Sequence, residues 1–428
     1  PKSREGRLYG SPSMILGIYV CFYPPVDYGL RWRMTPRRSI HPVLLFSFIG
    51  HSLDHLFMLI FPTAVLAMEA DFGMGFAELI PLMLASVVLF GLGAIPAGWL
   101  GDRWSARGTL IIMFFGLGIS SIATGLAQSP LQLALGLGAI GLFASIYHPV
   151  ATAVVVRYAT RRGRDLGING IFGGLGIAAG PFVAGLLSAA FGWRAAYIIP
   201  GVFGIIVGLA FIWFVREIAP AAKTKDEKSA NGGNGGSVLP AFIAIVIAGV
   251  CVGFLYQAET IAIPKVFELR LTFLGGELSA VGMMAAAIFV FGAAAQYGGG
   301  LLSDRFSMKR LLALSLVIQI PVTFLAAQMW DIPLFVVAIL MAVFTLGLQP
   351  VVDSLVALYV PPSWHARAYG VRFLAAIVVS SASVPVVAWI FDATGAFDWL
   401  FYGLMGIAAF GAITALTLPS EKRRVTTQ

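Results

Sequence analysis

His51, Asp54 and His55 stand three and four residues apart in an otherwise apolar run, so on a helix they share one face within a turn. Imidazole is the side chain whose charge ordinarily changes near neutral pH, and a carboxylate beside two of them can take up and release a proton. Asp54 is therefore the expected proton carrier, tuned by His51 and His55. Two blander roles compete, histidines that satisfy polar atoms inside a bundle and an aspartate that is a fixed counter-ion. The same trio could also chelate a divalent cation, but no Cys or Met cluster accompanies it, so no metal is expected. Other polar groups recur at comparable places. His148 has Thr152 one turn on, Gln349 has Thr345 and Asp353 a turn to either side, and Tyr256, Gln257, Glu259 and Thr260 are clustered. Arg372 can pair with Asp353, attract an anion or snorkel to an interface. His148, Tyr256, Gln257, Glu259, Gln349, Asp353 and Arg372 are the candidate substrate-binding residues.

The elements that must position these groups are helices in a bilayer. Of 428 residues, 59% are hydrophobic and 11% charged. A soluble chain carries roughly 25% charged residues, so this composition cannot build a water-facing surface. A spanning helix needs about 20 apolar residues because its backbone must satisfy itself where water is absent. Twelve such stretches are predicted: Pro42 to Met68, Leu79 to Leu100, Gly108 to Ala127, Pro130 to Val156, Leu166 to Phe191, Arg194 to Val215, Leu239 to Val266, Leu278 to Leu302, Leu311 to Gln328, Ile332 to Leu358, Tyr369 to Phe391 and Leu400 to Leu418. An ionisable group at bilayer depth costs about 2.5–3.5 kcal/mol on insertion scales, which makes each one above a candidate for function.

With both termini cytoplasmic, 25 of the 28 Lys and Arg residues fall on the cytoplasmic side and only Arg194, Lys265 and Arg270 outside. Positively charged loops resist translocation, so the bias sets the orientation, and the net charge of +8 records topology and inner-leaflet attraction rather than nucleic-acid binding. Charged residues followed by Asn231-Gly-Gly-Asn-Gly-Gly read as a flexible cytoplasmic linker over 217–238. It separates a bundle at 41–216 from a second at 239–419, with a tail at 420–428. Residues 1–40 read as a disordered cytoplasmic extension, and Met34 as a natural start.

The two bundles repeat. Gly98-Trp-Leu-Gly-Asp102-Arg103-Trp-Ser105 recurs 202 residues later as Gly300-Leu-Leu-Ser-Asp304-Arg305-Phe-Ser307, and His148-Pro149-Val150 is echoed by Gln349-Pro350-Val351. An even number of spans gives both copies the same orientation, as in parallel repeats about an axis along the membrane normal. The paired segments resemble motif A of the major facilitator superfamily, over essentially Pro42 to Pro419. The resemblance implies an all-α fold of two six-helix bundles whose first, fourth, seventh and tenth helices line a central cavity. It also implies that Gly98, Asp102, Arg103 and Arg107, with Gly300, Asp304, Arg305 and Lys309, latch the cytoplasmic helix ends and set the inward/outward balance. Ser105 and Ala106 depart from the family's usual glycine and arginine.

Gly167, Gly176, Gly180, Pro181 and Gly185 resemble motif C of proton-coupled antiporters, with Ala184 where glycine is usual. Small residues three or four apart let helix backbones approach, so the fifth helix is expected to pack tightly on a partner. Tyr147-His148-Pro149, with the His and Asp residues of the first span, resembles the fosmidomycin-resistance-like branch, although the fourth span lacks the arginine of motif B. Other chemistry is excluded. Gly136-x-Gly138-x-x-Gly141 has no preceding strand, no phosphate loop occurs, and neither G-x-S-x-G nor H-E-x-x-H is present, so neither an enzyme nor a cofactor is implied. The expectation is a monomeric inner-membrane secondary transporter. Its partners are a small-molecule substrate, protons and lipids; export is preferred over symport of an organic anion, and both over metal transport or a non-transporting sensor.

Overall fold

The computed structural model describes residues 41–218, 238–361 and 364–419. The extension at 1–40, positions 219–237 of the expected linker and the tail at 420–428 lie outside them. The described chain is helical, with twelve helices long and apolar enough to cross a membrane. They are α1 Pro42–Ala67, α2 Phe76–Arg103, α3 Ala106–Gly125, α4 Pro130–Tyr158, α5 Gly163–Phe191, α6 Ala195–Phe214, α7 Val238–Arg270, α8 Leu278–Ser303, α9 Met308–Gln328, α10 Asp331–Tyr359, α11 Arg367–Thr394 and α12 Asp398–Leu416. Trp213, Trp389, Phe191 and Leu131 are among many large apolar side chains left exposed, a surface that only lipid can cover. Helix α7 runs one turn past the predicted end because Lys265 and Arg270 are held by carboxylates rather than by apolar packing, which hydropathy cannot register.

Motif A acquires a local meaning. Ser105 and Ser307 cap the N-termini of α3 and α9, accepting from the amides of Gly108 at 3.1 Å and Arg310 at 3.3 Å. Two residues on, Arg107 donates to the carbonyls of Val215 and Ile212 at the C-terminal end of α6, and Lys309 donates to Leu418 at the end of α12. These bonds tie helices within each half. Asp102 and Arg103 are exposed, and among the described residues Asp102 forms no ion pair. Arg305 is likewise exposed; the Asp304 side chain lies outside the description.

The cavity-lining helices are broken at matched depths. Helix α4 passes from α to a π-turn at Tyr147–Ala151 around Pro149, and α10 is interrupted at Gly347 and Leu348 just before Gln349-Pro350. Proline removes a backbone donor and cannot continue a regular ladder, and π-turns re-aim the side chains they carry. Neighbouring helices seat on both breaks. A Cβ at Gly98 of α2 would lie 3.3 Å from Pro149, and one at Gly299 of α8 would collide with the carbonyl of Gly347. The packing glycine of the second copy is thus Gly299, whereas Gly300 faces open space.

The ends of the molecule differ. At the end opposite the start of α1 and the end of α12, here called the far face, Glu69 after α1 meets Lys265 of α7 at 3.2 Å. Lys265 also holds Glu268 at 2.6 Å and lies over the rings of Phe76 and Phe391, each 5.8 Å away. Phe76 and Phe391 pack edge to face at 5.3 Å. Helices α5 and α8 meet so closely that a Cβ at Gly185 would sit 2.7 Å from the Leu278 carbonyl. The first outer loop is tied down by Asp71, which accepts from Trp193 Nε1 at 2.8 Å and pairs with Arg194. Arg194, then Trp193, hold that carboxyl below the usual range, so the tie persists at neutral pH. At the terminal face, by contrast, a Cβ at Gly167, Gly170, Gly298, Gly300 or Gly370 would meet nothing. The close contacts between the halves described here lie at the far face and at mid-span.

Gly141 offers a direct test of the packing. A Cβ there would overlap the Ser86 backbone of α2. Gly141→Val is expected to destabilise the protein by about 1–3 kcal/mol or more, as overpacking does. A lowered thermal midpoint in detergent checks this, with Gly403→Val, an exposed α12 glycine with open space, as the unaffected control.

Candidate functional site: a buried histidine and carboxylate cluster

At mid-span α1 turns His51, Asp54 and His55 inward as their spacing requires. Asp54 is fully buried, and neither of its carboxylate oxygens has a hydrogen-bond partner. Its ion-pair neighbour is His148 of α4, whose Nε2 lies 3.6 Å from Asp54 Oδ2. The π-turn around Pro149 brings His148 to this place. His148 therefore belongs to the same cluster as the α1 trio. Its side chain is 28% exposed, making it the cluster's open edge.

The rings are mutually packed. His51 and His55 have centroids 5.0 Å apart, His51 and His148 5.4 Å, and His55 and His148 5.7 Å. His51 also stacks on Tyr147 at 4.5 Å and 11°. A helix of the same half fixes this geometry. His51 Nδ1 lies 2.7 Å from the carbonyl of Asn169 on α5, and Tyr147 donates to the Asn169 side-chain oxygen at 2.6 Å. A carbonyl only accepts, so Nδ1 carries the proton and Nε2 presents a lone pair. That Nε2 is buried and unpartnered. Gly173 makes room, since a Cβ there would collide with the His51 ring.

Across the cleft, Phe373 of α11 faces His148 at 5.2 Å and Phe90 of α2 at 6.3 Å, closing the cluster with rings from both halves. Tyr256 of α7 lies within electrostatic reach of Asp54 and of Glu259. Glu259 itself turns into the second half. It accepts from Thr345 of α10 at 2.9 Å, and Thr345 in turn takes a bond from Gln319 of α9, so Glu259 is not brought together with His148. Gln257 and Gln349 are half-buried on α7 and at the restart of α10. Asp353 and Arg372 pair with each other; Arg372 neither snorkels nor stands free to meet an anion in this conformation.

Of the α5 glycines, Gly176 abuts Ser52 and Gly180 abuts Leu59, both of α1. Gly185, with the carbonyl of Pro181, meets Gly282 of α8 in the other half, while Gly167 packs against nothing. Asn169, the residue that sets the histidine geometry, escaped sequence reasoning although an amide in an apolar span was a signal. Nothing marked Phe373 or Phe90 out from the other aromatics.

A family model described as Major Facilitator Superfamily matches residues 44–289 and 271–428. The chain is 29% identical over 155 residues to the 4-hydroxybenzoate transporter of Pseudomonas putida, an alignment spanning 36% of this chain and 35% of that protein. It is 25% identical over 358 residues to the probable sulfoacetate transporter of Cupriavidus necator, covering 75% and 80% of the two chains. Among solved structures it resembles a bacterial homolog of the human lysosomal transporter Spinster, in an inward-facing and occupied conformation. The TM-score is 0.70 at 17% identity, over 88% of this chain and 94% of that one.

Proposed function

The chain belongs to the major facilitator superfamily, and we propose that it is a secondary transporter moving a small organic solute across the inner membrane by alternating access. The terminal face, which collects the Lys and Arg residues, is cytoplasmic, so the present conformation faces inward. No phosphate-binding loop is present in the sequence, and an ion gradient drives uphill movement. The observation that carries the reading is Asp54, a carboxylate with no exposed surface and no hydrogen-bond partner, set beside His148 at mid-span under a cleft closed on one side. A proton arriving there neutralises a buried charge, and its departure restores it, which couples protonation to the state of the cleft. Tyr256, Gln257, Gln349 and the exposed edge of His148 hold the solute from both halves. The single chain is the transporting unit, surrounded by lipid.

Export in exchange for protons is the preferred direction, supported by the antiporter-like α5 glycines and their contact with α8. A second reading, uptake of an organic anion with a proton, is supported by the relatives named for 4-hydroxybenzoate and sulfoacetate. Proteoliposomes loaded with a panel of aromatic and sulfonated organic acids, under pH gradients of either sign, test both. Movement against the proton flow is expected for export and with it for uptake. Movement indifferent to the gradient would overturn proton coupling.

A further inference from the structure

We infer that His51, His55 and His148 form a three-imidazole site for a divalent late first-row cation such as Zn²⁺ or Co²⁺. One nitrogen from each ring lies within 4.8 Å of the other two. A tetrahedral ion with bonds of about 2.0–2.1 Å holds its ligand atoms roughly 3.3 Å apart, so a small rotation of the rings closes the set. The strongest support is the orientation of His51. Its Nδ1–H is engaged by a backbone carbonyl, leaving Nε2 buried, unprotonated and without a donor. That is the outer-shell arrangement that fixes tautomer and ring direction in metal-binding histidines. Asp54, 3.6 Å from His148 Nε2, supplies the negative charge that keeps a dication from being isolated in a low-dielectric interior. Imidazole donors suit zinc, cobalt, nickel or copper, not magnesium or calcium. The half-exposed His148 gives the ion an entry path from the cleft and leaves a fourth position for water or a solute group.

The full-length protein in detergent, stripped with chelator and titrated with Co²⁺, tests the site itself. The expected result is visible-range absorption of a four- or five-coordinate cobalt site, saturating at one ion per chain and erased by Zn²⁺. His148→Asn and His55→Asn should each weaken binding by about 100-fold, at or above what loss of an outer-shell partner costs. His41→Asn, an exposed histidine at the start of α1 outside the cluster, should bind as the unaltered protein does. Absence of a saturable band in the unaltered protein, or equal affinity in folded His148→Asn, overturns the site. The two readings fail separately: no cobalt band with intact gradient-driven transport sinks only the metal site. A cobalt band with gradient-indifferent transport in metal-free vesicles sinks only proton coupling.

Discussion

Asp54→Asn protein in proteoliposomes is expected to lose the pH-gradient-driven component of solute movement completely while keeping solute-for-solute exchange. Asparagine matches the carboxylate in shape but carries no charge to neutralise. The buried oxygens accept no hydrogen bond, and among the described residues only His148, 3.6 Å away, forms an ion-pair contact with them. The amide can donate to His148, so the variant is expected to be at least as stable as the parent, since an unpaired buried charge is the costlier occupant. Measured by counterflow and by gradient-driven uptake on the same vesicles, the two activities should separate. If gradient-driven movement survives at full rate, Asp54 is a fixed counter-ion and the carrier lies elsewhere. The first alternative is then Glu259, whose only described donor is the Thr345 hydroxyl.

Lys265→Met is expected to shift the resting population toward the outward-facing state. Lys265 is 8% exposed and is the one cation joining Glu69 of the first half to α7, while also lying over rings from both halves. Each cation–π contact contributes about 0.5–1 kcal/mol at partly exposed sites. With the cross-half ion pair, the variant loses about 1–2 kcal/mol of far-face closure, a roughly 5- to 30-fold change in the equilibrium. Spin labels at exposed Gln128 and Ala393, in a background with Cys21 and Cys251 replaced, should report a longer distance population across the far face. An unchanged distribution would mean that the aromatic contacts of Phe76 with Phe391 and Phe397 hold the seal without the charge.

Much of this architecture was legible in the residues, for reasons of physics. Spanning helices advertise themselves because lipid forbids unsatisfied backbone, and the duplicated motif fixes the number of halves and their sense. The α1 trio was legible because helical spacing alone puts it on one face. His148 was found, but its closeness to Asp54 was not. Its approach to Asp54 depends on a π-turn, and a one-residue change of helical phase is invisible to a count of threes and fours. The motif marks Gly300, whereas the close contact is made by Gly299, because a motif marks a segment and the contact depends on which way the helix faces. Lys265 looked like a stray outside charge. Its importance comes from partners 196 residues away in sequence, and no local pattern encodes them.

The matched interruptions in α4 and α10 bear on how such a protein moves. A wall helix split at mid-depth behaves as two short rods with an elbow between them, and Thr152–Tyr158 and Gln349–Tyr359 are the lower rods. Each elbow is braced by a neighbouring glycine helix, Gly98 of α2 against Pro149 and Gly299 of α8 against Gly347. His148, the imidazole beside Asp54, is mounted on one elbow, so a change in how that wall bends also changes what the carboxylate faces.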